Sequence, residues 1–212
     1  MSKKYVFCLL LSFILFFLAV NAYAWDGQRK GFLLGFGIGP GFTSFTQKVT
    51  YPHDTNRVVV IRHIPGVSAE SGRQNKAAVV TDFKIGYAPD NTWAIYHTSK
   101  VYFYGITNMS GWDVTIASGL GALAVSYWFK PQAPSPFVAG GLGYSIWALP
   151  FEDNRPDTWI GLGLFAGGGY EYSRHVSVEG YLSWGQPKHK ESSLEVSSNA
   201  LSVMLTVNVL GY

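Results

Sequence analysis

Cysteine is nearly absent from this chain and charge is scarce. The single cysteine, Cys8, excludes both a disulfide framework and a thiolate zinc site. Charged residues make up 14% of the 212 positions, well under the roughly 25% of soluble domains. A formal charge of +3 is too small to point to nucleic acid as a partner. Beyond residue 24 no stretch reaches the 18 apolar residues of a membrane-spanning helix. His53, His63, His175 and His189 fall in polar connections without ligand spacing, so neither a metal nor a cofactor is expected. What the chain has in quantity is glycine, 24 residues, and aromatic side chains, 16% of the total.

The first two dozen residues read as an address. Lys3 and Lys4 precede an apolar run from Tyr5 to about Val20, and Ala22-Tyr-Ala24 supplies the small-x-small pattern of signal-peptide cleavage. A retained anchor is the competing reading, but the run is short for a span and the cleavage pattern follows at once. Residues 1–24 are therefore expected to be removed, leaving 25–212 as one domain. Cys8, Lys3 and Lys4 leave with them, so the remainder is cysteine-free and carries 14 basic against 13 acidic residues. An exported, nearly neutral, apolar domain is an odd profile for a soluble protein.

Apolar residues alternate with a period of two in eight segments, and nothing sustains a period of 3.6. The first segment places Phe32, Leu34, Phe36, Ile38 and Phe42 on one face against Gly35, Gly37, Gly39, Gly41 and Thr43. A nearly side-chain-free second face suits a crowded barrel interior. Further segments run over about 77–87, 93–104, 114–129, 137–147, 158–172, 176–184 and 199–209. The fourth changes parity midway, which predicts a bulge near Gly121. The apolar face of the last, Leu201 to Val209, has the opposite parity to Tyr212, which predicts a slip near Gly211. Short turns at 89–91, 130–136 and 173–175 alternate with longer polar loops at about 46–76, 106–113, 148–157 and 185–198. That asymmetry, the even count and segment lengths near ten predict an all-β fold, an eight-stranded antiparallel up-and-down transmembrane barrel with both termini periplasmic. Trp93, Trp128, Trp147, Trp159 and Trp184 near segment ends are expected in aromatic girdles.

Gly161 to Trp184, GLGLFAGGGYEYSRHVSVEGYLSW, resembles the closing strands of small outer-membrane barrels. Ser126 to Ile146, SYWFKPQAPSPFVAGGLGYSI, resembles their central hairpin, and Gly31 to Gly37 their first strand. At the level of superfamily the chain is similar to the outer-membrane protein A/X/W-type and opacity-type eight-stranded barrels, with a length nearest the W-type. The resemblance implies a monomer in the bacterial outer membrane, placed there by the barrel-assembly machinery. A structural or surface-interaction role follows, or, on W-type resemblance, a narrow channel for small or hydrophobic solutes.

Three groups of residues are candidates for function. Asp82, Lys84, Lys100, Glu171 and Glu179 fall on the interior parity, with Tyr96, Tyr102 and Tyr181. Unpaired charge there is costly, so an ion-pair network is expected, either structural filler or the gate of a small pore. In the first long loop Lys48, Arg57, Arg62, Arg73 and Lys76 outnumber Asp54 and Glu70. They could meet lipopolysaccharide phosphates or only keep the loop solvated. Arg57 to Arg62 is itself strand-like. His97 and Ser99 share the lipid-facing parity, an H-x-S pair similar to that of outer-membrane lipid A deacylases. There serine would be nucleophile and histidine base. Those enzymes carry the pair near the C-terminus with an acid on the next strand, whereas Asp113 is the nearest downstream acid here, so an interfacial polar patch is the preferred reading. Gly161–Ala166 and Gly119–Ala124 both fit G-x-G-x-x-A, but no following helix could hold a pyrophosphate.

Overall fold

A computed structural model describes residues 28–50, 66–152, 158–191 and 194–212. The signal-peptide reading of 1–24, and Arg57 and Arg62 with the strand-like stretch between them, lie outside the described residues. The described chain forms β1 (Gly31–Thr50), β2 (Arg73–Ala88), β3 (Trp93–Thr107), β4 (Asp113–Trp128), β5 (Ser135–Ala148), β6 (Trp159–Ser173), β7 (Val176–Glu191) and β8 (Leu194–Gly211). Each strand pairs antiparallel with the next, and β8 returns to β1 to close the barrel.

The stagger of that closure can be read from one row of paired residues. Phe32 faces Tyr87, then Ile95, Val125, Gly140, Ala166, Leu182 and Val203, and the row arrives back on β1 at Phe42, ten residues above its start. Eight strands with that stagger tilt by about 40°, and ten residues at that tilt climb roughly 25 Å, the height of an outer-membrane apolar band. The outward side chains over that height are apolar on nearly every strand. Phe36, Val79, Leu142, Leu162, Leu182, Leu201 and Val207 are among those that stay exposed.

Register holds through Gly121 and Gly211, and among the described residues the one shift lies between Glu171 and Ser173. The bulge expected near Gly121 is absent. Val114, Ile116, Leu120, Ala122, Ala124 and Trp128 all point inward, and the apparent parity change arises because the upper interior is apolar. Tyr212 likewise needs no slip, for it continues the interior parity of Asn208 and Leu210 and is buried.

The strands also run longer than alternation implied. β1 continues to Thr50 and β2 begins at Arg73, so Lys48, Arg73 and Lys76 sit on strand ends rather than in a loop. The loop expected over 185–198 is mostly hairpin, with Lys188 facing Ser197 and Lys190 facing Glu195. Between β3 and β4 only residues 108–112 lie outside strands, and between β5 and β6 the described residues outside strands are 149–152 and 158. At the opposite end the connections are tight. Between β2 and β3 the Asp90 carboxylate accepts from the Thr92 amide and hydroxyl, each at 2.6 Å, and from the Trp93 amide at 3.2 Å. The Thr92 hydroxyl, then its amide, holds the Asp90 carboxyl below the usual carboxylate range.

Candidate functional site

The lumen is filled in layers. At its floor Arg29, which precedes β1, donates Nε to Glu171 Oε2 at 2.6 Å and Nη1 to the carbonyls of Asn91 and Lys130, each at 2.7 Å. The guanidinium lies 5.1 Å from the centre of the Trp128 ring, and the Tyr212 hydroxyl donates to the other Glu171 oxygen at 2.7 Å. One arginine therefore ties two turns, the β6 carboxylate and an aromatic wall into a floor. Arg29 escapes sequence reading because it lies before the first alternating residue, where parity assigns no face.

Above the floor lies a four-charge cluster. Lys100 Nζ is 2.7 Å from Asp82 Oδ2, Lys84 Nζ is 3.4 Å from the same oxygen, and Lys84 also pairs with Glu179 across the lumen. The remaining carboxylate lone pairs are taken by Thr98 on Asp82 at 2.8 Å, and on Glu179 by Ser177 at 2.7 Å and Tyr181 at 2.6 Å. Lys100 Nζ also stands over the Tyr181 ring at 4.0 Å and the Phe165 ring at 4.8 Å, a placement that stabilises a desolvated cation. Two cations and two anions cancel, so the burial leaves no net charge. Of the five interior residues singled out from sequence, four meet here and Glu171 belongs to the floor.

The next layer is hydroxylic. Thr43 pairs with Ser202 at 2.7 Å and Tyr102 with Ser183 at 3.0 Å. Beside them, lined in part by Ser118, Ser145 and Leu120, is a space of about 10 Å³, room for a single water at most. The roof is aromatic. Phe45 meets Trp147 edge-on at 4.9 Å, and Trp147 stacks on Trp159 at 5.7 Å. Residues 66–69 fold over this cluster. The Gly66 carbonyl accepts from Trp147 Nε1 at 3.1 Å and Gln47 Nε2 at 2.9 Å, and the Ala69 amide donates to the Thr107 carbonyl at 2.9 Å. Trp128, Trp147 and Trp159 are thus interior residues, not the girdle expected of them. Each is at most 2% exposed. Trp147 and Trp159 have the parity of the interior glycines of their strands, Gly143 and Gly161, and Trp128 has that of Ala122 and Ala124, which is the signal that distinguishes them from outward-facing aromatics.

A wall apolar on the outside over about 25 Å, enclosing charges that cancel within, inverts a soluble protein. The chain is a closed eight-stranded β-barrel of the membrane-spanning kind.

On the lipid side, His97 and Ser99 do face outward, but not at an interface. His97 pairs with Ile85 and Leu123, and Ser99 with Phe83 and Gly121. The tilt places both roughly midway up the apolar band. The surrounding outward side chains carry no carboxylate, and Asp113 is bound to Thr107, eight residues further along β3 from Ser99, at 2.8 Å. The pair therefore lacks the acid that orients a hydrolase histidine. Both G-x-G-x-x-A patterns lie within strands, β6 and β4. Of the basic residues assigned to the first loop, Lys76 pairs with Glu70 at 3.5 Å, while Lys48 and Arg73 face outward at the rim. No cluster of metal-ligating side chains occurs among the described residues.

No family model matches the sequence, and no curated protein does. Solved structures do match. The outer membrane protein OprG of Pseudomonas aeruginosa is 12% identical with a TM-score of 0.44, over 87% of this chain and 97% of that one. Ail, the attachment invasion locus protein of Yersinia pestis, solved with the heparin analogue sucrose octasulfate, is 10% identical with a TM-score of 0.39, over 84% and 99%. Neisserial surface protein A is 16% identical with a TM-score of 0.38, over 82% and 96%.

Proposed function

We propose that this barrel is a non-enzymatic surface protein of the bacterial outer membrane, closed to solutes, with both termini periplasmic and its specificity carried by the rim that bears the long connections. The observation that carries this reading is the filled lumen, barred by Arg29 below and by the Phe45–Trp147–Trp159 cluster above. A solute would have to break the central ion pairs to pass, and breaking a buried pair costs several kcal/mol. Purified barrel in planar lipid bilayers is expected to give no reproducible conductance steps. Regular unitary steps would sink this reading and favour the narrow channel.

The missing acid beside His97 supports the non-enzymatic part. Ser99→Ala is expected to leave the acyl content of cellular lipid A unchanged by mass spectrometry. Loss of a deacylated species in that strain alone would establish a hydrolase.

A further inference from the structure

The outward-facing rim is not electrically uniform. Lys48 on β1, Arg73 on β2, and Lys188 and Lys190 on β7 all project outward at the upper ends of three strands, with Ser197 and Glu195 of the intervening β8 between them. Lys48 and Lys188 flank Ser197 in one row, two strand spacings or about 10 Å apart. Lys190 faces Glu195, and Lys188 reaches that carboxylate at 3.7 Å. An exposed pair of this kind leaves the lysine largely available. The tilt brings Lys48, Arg73 and Lys190 to within a few ångströms of one height, with Lys188 a little lower. On the other half of the rim, β3 to β6 and their connections, the described outward charges are Asp113 and Glu152. Among the described residues the cations are gathered on one side.

What lies beneath them fixes the kind of partner. Descending β8, the outward residues run Ser197, Asn199, Leu201, Val203; descending β7, Lys188, Gln186, Trp184, Leu182. Trp184 Nε1 donates to Asn199 Oδ1 at 2.9 Å, the amphipathic pair of a membrane–water boundary. The cations therefore stand roughly 10–15 Å above the hydrocarbon edge, from where long side chains can lie along the wall and lower their charge toward headgroup level. A protein or soluble polyanion would be met by charges on the mouth. These face sideways, over an apolar wall that covers acyl chains.

We propose that the β7–β8–β1–β2 rim is a binding site for a lipid whose headgroup carries more than one phosphate, the lipid A portion of lipopolysaccharide, with Lys48, Arg73, Lys188 and Lys190 holding the phosphates and the Trp184–Leu201 wall its acyl chains. This rests on the orientation given under Proposed function, which places this rim at the cell surface.

The test uses the purified full chain in neutral detergent, titrated with diphosphorylated lipid A and read by native mass spectrometry. The variant Lys48→Gln/Arg73→Gln/Lys188→Gln/Lys190→Gln is expected to weaken apparent affinity at least tenfold, and dephosphorylated lipid A should bind the parent no better than the variant. Lys130→Gln, at the opposite end, should change nothing. Equal binding by parent and quadruple variant, or equal binding of the two lipids, overturns the proposal. If the quadruple variant fails to show a folded, heat-modifiable band, Lys188→Gln/Lys190→Gln replaces it, with at least a threefold loss expected and no loss overturning. Orientation is read separately by labelling Cys8→Ser/Trp112→Cys in intact cells with an impermeant maleimide. Absence of label refutes the orientation without touching the micelle result, so the two failures are distinguishable.

Discussion

Asp82→Leu is expected to destabilise the folded barrel by about 3–5 kcal/mol, the cost of leaving a buried charge without its counter-ion. Asp82 is the carboxylate shared by Lys84 and Lys100 and the acceptor for Thr98. Without it Glu179 alone faces two buried cations, and the cluster carries a net positive charge in a medium that cannot screen it. The effect should appear as a lower urea midpoint for loss of the heat-modifiable band in lipid vesicles. The double variant Asp82→Leu/Lys100→Met restores neutrality, because Lys84 keeps Glu179, and replacing a whole buried pair by apolar groups is often nearly neutral. Recovery of most of the lost midpoint is therefore expected. A single variant as stable as the parent, or a double variant no better than the single, would show that charge balance is not what the cluster contributes.

The second large effect concerns the seam. Pairing between β1 and β8 skips Gly39 and Pro40, where proline brings no N–H. A side chain at Gly39 would place its Cβ 2.0 Å from the Leu205 carbonyl oxygen and 2.9 Å from the Thr206 Cα. Both are backbone atoms that cannot rotate away. Gly39→Val should thus cost about 3 kcal/mol or more, the upper end of overpacking penalties, and it falls where the last strand must dock on the first. The expected readout is a large drop in the fraction of protein that assembles to the heat-modifiable form. Gly180→Ala is the control, since its Cβ would meet nothing nearer than the Met204 carbonyl at 3.8 Å. Equal assembly of the two variants would refute the steric account.

Parity made the barrel legible wherever one face meets lipid and the other the lumen. Phe36 against Gly37, or Leu162 against Gly163, can be assigned by inspection. The tight turns were equally plain from Pro89-Asp90-Asn91. Legibility failed where the residues on the two faces do not differ consistently in polarity. Above the hydrocarbon band the outer face of the β7–β8 hairpin carries Gln186, Lys188, Lys190, Glu195 and Ser197, and its inner face mixes Pro187, His189, Val196 and Ser198, so the alternation is lost and a loop is read where Gly185–Glu191 and Leu194–Ser198 are strand. In the upper lumen both faces of β4 accept apolar residues, and Ile116 and Leu120 mimic a register change. The central charges could be placed inside by parity, but which carboxylate meets which lysine depends on the stagger, which no local pattern encodes. Arg29 and Glu171 are 142 positions apart, and only closure brings them together. The placement of Lys188 beside Lys48, on either side of Ser197, follows from the same closure.

A stagger of whole residue pairs, kept without interruption across nearly all eight strands, also sets a rule for how such a sequence can drift over generations. A single residue inserted near Val80, below the rim, would turn Asp82 and Lys84 out into lipid and Phe83 and Ile85 in among the charges, since one step reverses every side chain beyond it. Two inserted residues preserve the faces but break the ladder to both neighbours unless these lengthen as well. Length variation should therefore accumulate in the connections and in the wet upper ends of the strands, whereas within the apolar band descent should proceed by substitution alone.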